Sequence, residues 1–176
     1  MPLMIGVADG IRKVYPDARF VAPCVDATRE TQVRAAAGEF PVETVVGQTY
    51  EVLDGARFCL VASGTATLET ALFGRPMVVA YKVSPLSYWI ARRLVRVDHI
   101  AMANILAEKR IVPEFIQHEA TVDNVLPEAL ALIADGPRRE TVLAEYQRLR
   151  KRLGEAGASH KAAEAVLAVA QGSEHG

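Results

Sequence analysis

Short, mostly apolar runs alternate with longer segments whose apolar residues recur at helical spacing. The runs 19–22 (RFVA), 42–46 (VETVV), 58–62 (FCLVA) and 77–80 (MVVA) read as strands, the last two with no polar interruption. Between them, 2–15, 27–37, 50–56 and 66–73 read as helices. Pro16 ends the first helix, which Gly6 and Gly10 weaken, and Pro23 closes the first strand. Asp26 is placed to cap the second helix, Gly47 to stop the second strand, and Gly74 to cap the C-terminus of the fourth helix. Continuous apolar strands separated by helices predict a parallel sheet covered on both faces.

Beyond Tyr81 the pattern turns helical. Pro85 suits the first position of a helix capped by Ser84 and reaching about Leu94, with Leu86, Trp89, Ile90, Leu94 and Val97 on its buried face. Segment 100–117 is mixed; it holds Asn104 and a break at Pro113. Helices are expected over 122–134, 138–153 and 161–171, and 173–176 is expected to fray. The helix over 138–153, rich in Arg, Lys and Glu, reads as a solvated face or a surface for a partner subunit.

Composition narrows the classes. A hydrophobic fraction of 51% over 176 residues supports a real core, and 20 basic against 21 acidic residues leave a net charge of −1, so nothing drives the chain as a whole toward nucleic acid. Cys24 and Cys59 each lie in or beside an apolar strand and read as free thiols in a reducing compartment. His99, His118, His160 and His175 are scattered and form no metal-ligand pattern. No signal-peptide pattern opens the sequence, and no apolar run reaches the ~20 residues of a membrane span. A cytoplasmic chain, peripheral to a membrane at most, is expected.

The chemistry concentrates at 63–69 (SGTATLE), where a strand turns into a helix. Ligands of open parallel sheets gather beyond the carboxyl ends of the strands. Gly64 tolerates φ > 0 and keeps no side chain between backbone and ligand. The N–H groups opening the next helix, with the hydroxyls of Ser63, Thr65 and Thr67, suit phosphate oxygens. Glu69, a turn further on, suits the paired hydroxyls of a ribose. The same residues also read as an ordinary helix start, with Ser63 or Thr65 as cap and Glu69 complementing the dipole.

Over a longer stretch, LVASGTATLETALFGRPMVVAYKVSPLSYWIARRL followed by MANILAEKRIVPEFIQ resembles the C-terminal half of lipid-A-disaccharide synthase, a glycosyltransferase of the two-Rossmann-domain (GT-B) type. The resemblance covers about 60 residues in one order, with flanking agreement at 16–20 and in the helical tail. It implies an α/β fold: an incomplete Rossmann-like parallel sheet of a GT-B C-terminal domain, followed by a helical tail. Residues 1–120 would form the nucleotide-sugar-binding unit without its first strand, 121–172 a helical segment and 173–176 a disordered tail.

The implied reaction transfers 2,3-diacylglucosamine from UDP-2,3-diacylglucosamine to 2,3-diacylglucosamine 1-phosphate, releasing UDP. Ser63, Gly64 and Thr65 would face the diphosphate, Thr67 would assist, Glu69 would take the ribose hydroxyls, and Asn104 would be a polar contact near the donor. Stabilising the leaving diphosphate this way needs no metal or cofactor. The resemblance also implies a homodimer at the inner-membrane surface.

Departures matter as much. The Gly-Ser-Arg turn that opens the family's second domain, its central strand and the whole N-terminal Rossmann domain lie outside these residues, so no catalytic residue is assigned to this chain, and the chain alone is expected not to catalyse transfer. Loss of a central strand is expected to expose an edge prone to pairing. Trp89, Arg92, Arg93 and Arg96, with Lys82 and Tyr88 nearby, suit an anionic lipid surface or, equally simply, an amphipathic helix with solvated arginines. Gln117 and His118 either line the site or pack a loop. A non-catalytic nucleotide- or phosphate-binding module, or half of another UDP-sugar enzyme, fits the same residues.

Overall fold

The structure, a computed structural model of the chain, describes residues 1–62, 64–82, 99–154, 163 and 166. Helix α1 (Pro2–Val14) leads to strand β1 (Val21–Cys24), α2 (Ala27–Ala37), β2 (Glu43–Val46) and α3 (Thr49–Gly55). Strand β3 (Cys59–Val61), α4 (Ala66–Leu72) and β4 (Met77–Tyr81) come next. The described chain resumes with α5 (Met102–Ala107), β5 (Glu114–Ile116), a 3₁₀ turn at Gln117–Glu119, α6 (Val122–Ile133) and α7 (Pro137–Leu153). The expected alternation of strand and helix is present, and every strand pair is parallel. The helix expected from Pro85 and the one expected over 161–171 lie outside the described residues, apart from two positions of the second.

Strand order is β1-β2 in one sheet and β3-β4-β5 in another. Between the edges of β1 and β3 an open cavity of about 1480 Å³, bounded by Val21, Pro23, Leu60, Met4 and Ile11 among others, stands where a continuous sheet would have a ladder. The parallel sheet is therefore incomplete at its middle. The core sits on the three-stranded side. Met77, Val78, Val79 and Ala80 of β4 are buried, covered by Val125, Ala129 and Leu132 of α6 and joined by Val142, Tyr146 and Leu149 of α7. Helices α6 and α7 thus share one core with the strands.

Three expectations need correction. The first strand lies two residues later than the apolar run suggests, and Pro23 is inside it rather than closing it. Phe20 and Cys24 carbonyls accept from Glu43 and Gly47 N–H at 2.8 and 2.9 Å, so alternate residues face β2 and Pro23 faces the open side, where no donor is required. A fifth strand was missed. Pro113 does not break the segment; its carbonyl accepts from Val79 N–H at 2.9 Å and leads β5 onto β4. Gly10, expected only to weaken α1, is where α6 comes closest: a Cβ there would run into Leu126.

Other local readings hold. Asp26 caps α2, its carboxylate accepting from Arg29 N–H at 2.7 Å, and Gly47 and Gly74 take positive φ of 72° and 65° where the chain must turn. Both cysteines are free, Cys24 buried and Cys59 half-buried. Burial pushes the Cys59 thiol up to about 11.

Candidate functional site

The strands share one direction, so the segments leaving β3, β4 and β5 emerge at the same end of the sheet. There β3 passes into the turn at Gly64–Thr65 and then into α4. Ser63 lies outside the described residues, as do Trp89, Arg92, Arg93 and Arg96.

Gly64 does not take a left-handed conformation; glycine is needed there for a different reason. A Cβ would stand 2.8 Å from the carbonyl oxygen of Ile100, so only glycine lets that backbone pass. The Gly64 carbonyl accepts from Met102 N–H at 3.1 Å, from Thr67 N–H at 3.3 Å and from the Thr67 hydroxyl. The buried Thr67 hydroxyl in turn accepts from Ala103 N–H at 3.2 Å, so it links the turn to α5 from inside. Thr65 is exposed, with helical backbone angles and no side-chain cap bond; it does not act as the simple helix cap. Among the described residues nothing accepts from the N–H groups of Thr65 and Ala66.

Behind the turn lies a buried polar cluster. Asn104 is fully buried and its amide is committed within the chain. Its oxygen accepts from Ile111 and Val112 N–H, both at 2.8 Å, while its nitrogen donates to the Val112 carbonyl at 2.9 Å and to Glu114. Glu114, only 6% exposed, also accepts from Ile100 N–H at 2.8 Å, and His99 Nδ1 lies 3.7 Å from its carboxylate. Sequence patterning gave Glu114 no role: one acid beside a proline in a three-residue strand carries no periodic signal.

Glu69 is exposed on α4, one turn from Thr65. The Tyr50 hydroxyl donates to its carboxylate at 3.3 Å, and the Tyr50 ring stacks on Phe73, centroids 5.6 Å apart and planes 12° from parallel. Tyr50 was also missed, because the helix that carries it is short and its exposure is set by neighbours distant in sequence. Gln117 is half-buried with φ 54°, and His118 is exposed. Among the described residues no group of His, Cys, Asp and Glu could hold a metal, and no helix is long and apolar enough to cross a membrane.

Parallel strands linked by helices, with a glycine turn at the carboxyl end of β3 and an acid one turn later, define the class: a partial, Rossmann-like α/β domain. The family model for lipid-A-disaccharide synthetase matches residues 1–169. The chain belongs to that family. It is 42% identical over 172 residues to lipid-A-disaccharide synthase of Anaeromyxobacter dehalogenans (strain 2CP-C), covering 96% of this chain and 45% of the relative. It is 38% identical over 169 residues to the enzyme of Pseudomonas putida, covering 95% and 44%. The chain thus spans less than half the length of these curated relatives.

Proposed function

We propose that this chain is the donor-binding half of a glycosyltransferase of lipid A biosynthesis, holding the UDP of UDP-2,3-diacylglucosamine while the sugar passes to 2,3-diacylglucosamine 1-phosphate. The observation that carries this reading is the Gly64–Thr65 turn. It is held from behind, with outward N–H groups and exposed Glu69 one turn on, in a member of the lipid-A-disaccharide synthetase family. Ser63, Gly64 and Thr65 meet the diphosphate and Glu69 the ribose hydroxyls. Thr67 and Asn104, whose side chains are committed inside, serve the donor by fixing the backbone around it.

The site lies in residues 1–120, and α6 and α7 support it by packing on the core. Among the described residues no acid/base group of the transfer is assigned. A homodimer working at the inner-membrane surface, with Trp89, Arg92, Arg93 and Arg96 toward lipid, completes the proposal.

Calorimetric titration with UDP and with UDP-2,3-diacylglucosamine tests it. Saturable binding of both is expected, with the acylated donor at least as tight. Absence of binding by either at about millimolar concentration, weaker than roughly −4 kcal/mol, removes the donor-site assignment.

A further inference from the structure

We propose that Glu114 is a positioning residue of the nucleotide site: its buried carboxylate sets the backbone of residues 100–103, and that backbone sets the direction in which the Gly64–Thr65 peptide presents its N–H. The proposal rests on the donor-site reading for what that N–H meets. Its structural link, from Glu114 to the peptide, needs no ligand.

A carboxylate is an expensive choice for this place. Glu114 lies in β5 opposite Val79, against the most apolar strand of the core, where an aliphatic side chain would pack without desolvating a charge. Among the described residues no lysine or arginine forms an ion pair with this carboxylate: the His99 ring lies at 3.7 Å, outside good hydrogen-bond range, and Arg110 donates to the Glu114 backbone carbonyl at 2.8 Å. What the carboxylate provides and an aliphatic chain cannot is direction. One oxygen takes the N–H of Ile100 and the other the amide of Asn104, which itself anchors Ile111 and Val112. The stretch leading into α5 is therefore pinned at its start and at Asn104.

That stretch is what touches the turn. The carbonyl of Ile100 lies against Gly64 so closely that no Cβ fits, Met102 N–H holds the Gly64 carbonyl, and Ala103 N–H holds the hydroxyl of Thr67, which also binds that carbonyl. In a planar trans peptide the C=O and the following N–H point in opposite directions. Gripping the Gly64 oxygen toward α5 therefore turns the Thr65 N–H away from it, at an exposed residue. If the Ile100 anchor is lost, the peptide is free to rotate and the N–H loses its aim.

The test uses two variants that approach the link from its two ends. Glu114→Gln keeps the size but opposes one N–H donor with another, and Gly64→Ala pushes Ile100 away from the turn. The first readout is the residual dipolar coupling of the Thr65 N–H in the ¹⁵N-labelled chain, compared with couplings in α6 and α7. In both variants the Thr65 coupling is expected to change while those of α6 and α7 stay. The second readout is the affinity for UDP against that for uridine. Loss of one aimed donor to an anion is expected to weaken UDP about tenfold and uridine less than about twofold.

An unchanged Thr65 coupling in the variants overturns the proposal, and so does an equal loss for uridine and UDP, which marks general damage. If the unmodified chain binds neither ligand, the donor-site reading fails and the coupling alone decides the role of Glu114. Should Glu114→Gln not fold, Gly64→Ala carries the same decision.

Discussion

Replacing Glu69 with alanine isolates the contact assigned to the ribose. The side chain is exposed, and its one described partner is the Tyr50 hydroxyl at 3.3 Å, near the long limit of a hydrogen bond. Tyr50 stays on Phe73 through ring stacking, so the local surface survives the change. Helix α4 loses a first-turn acid and gains a better helix former, two effects of a few tenths of a kcal/mol with opposite sign.

The binding effect is larger. A carboxylate that accepts from two hydroxyls would contribute roughly 3 kcal/mol if both bonds were fully desolvated; at an exposed position about 2 kcal/mol is expected, or roughly thirtyfold in affinity. The assay is calorimetry with UDP and with its 2′,3′-dideoxy analogue. The analogue should bind the unmodified chain roughly thirtyfold more weakly than UDP, and Glu69→Ala should then weaken UDP but leave the analogue within about twofold. Equal weakening of both nucleotides would refute the ribose assignment, as would an analogue that binds like UDP.

Leu132→Ala, in a fully buried position of α6, should cost about 3 kcal/mol and lower the melting temperature by roughly 6–12 °C; a shift below about 2 °C would mean that α6 is not part of the cooperative core. Gly10→Val should destabilise even though valine is the better helix former, because the new side chain meets Leu126; circular dichroism melts check this, and a stabilised variant would overturn the close packing of α1 on α6. Cys59, raised to about 11 by burial, should alkylate slowly at pH 8 and faster with each unit up to that value. Its folded value lies above the unfolded one, so the stability it contributes is complete below pH ~9 and is lost as pH rises toward 11, which denaturant titrations at pH 8 and 10.5 would register. The open cavity between β1 and β3 should bind an apolar dye in the folded state and favour self-association; a monodisperse monomer that melts cooperatively and leaves the dye dark would contradict it.

The sequence by itself determined the elements whose signals are local. The apolar runs FCLVA and MVVA marked β3 and β4, Asp26 could cap the helix next to it, and Gly47 and Gly74 stood where positive φ was required, because each of these depends on a few adjacent residues. The alternation of strand and helix gave the parallel α/β class for the same reason, and the ordered motifs from Leu60 to Gln117 pointed to the family to which the chain belongs.

What only the tertiary structure decided were contacts between residues distant in the chain. Pro23 sits inside β1 because the side it turns to is open, and Pro113 opens β5 because its carbonyl meets Val79. Gly64 is glycine because Ile100 crosses it, not because the turn is left-handed. The Thr67 hydroxyl is engaged by Gly64 and Ala103 and the Asn104 amide by Ile111, Val112 and Glu114, while Glu114, which lies within the family motif but had no role assigned from it, holds the N–H of Ile100. A residue's type states which bonds it can make; which of them it makes is fixed only when the fold brings its partners within about 3 Å.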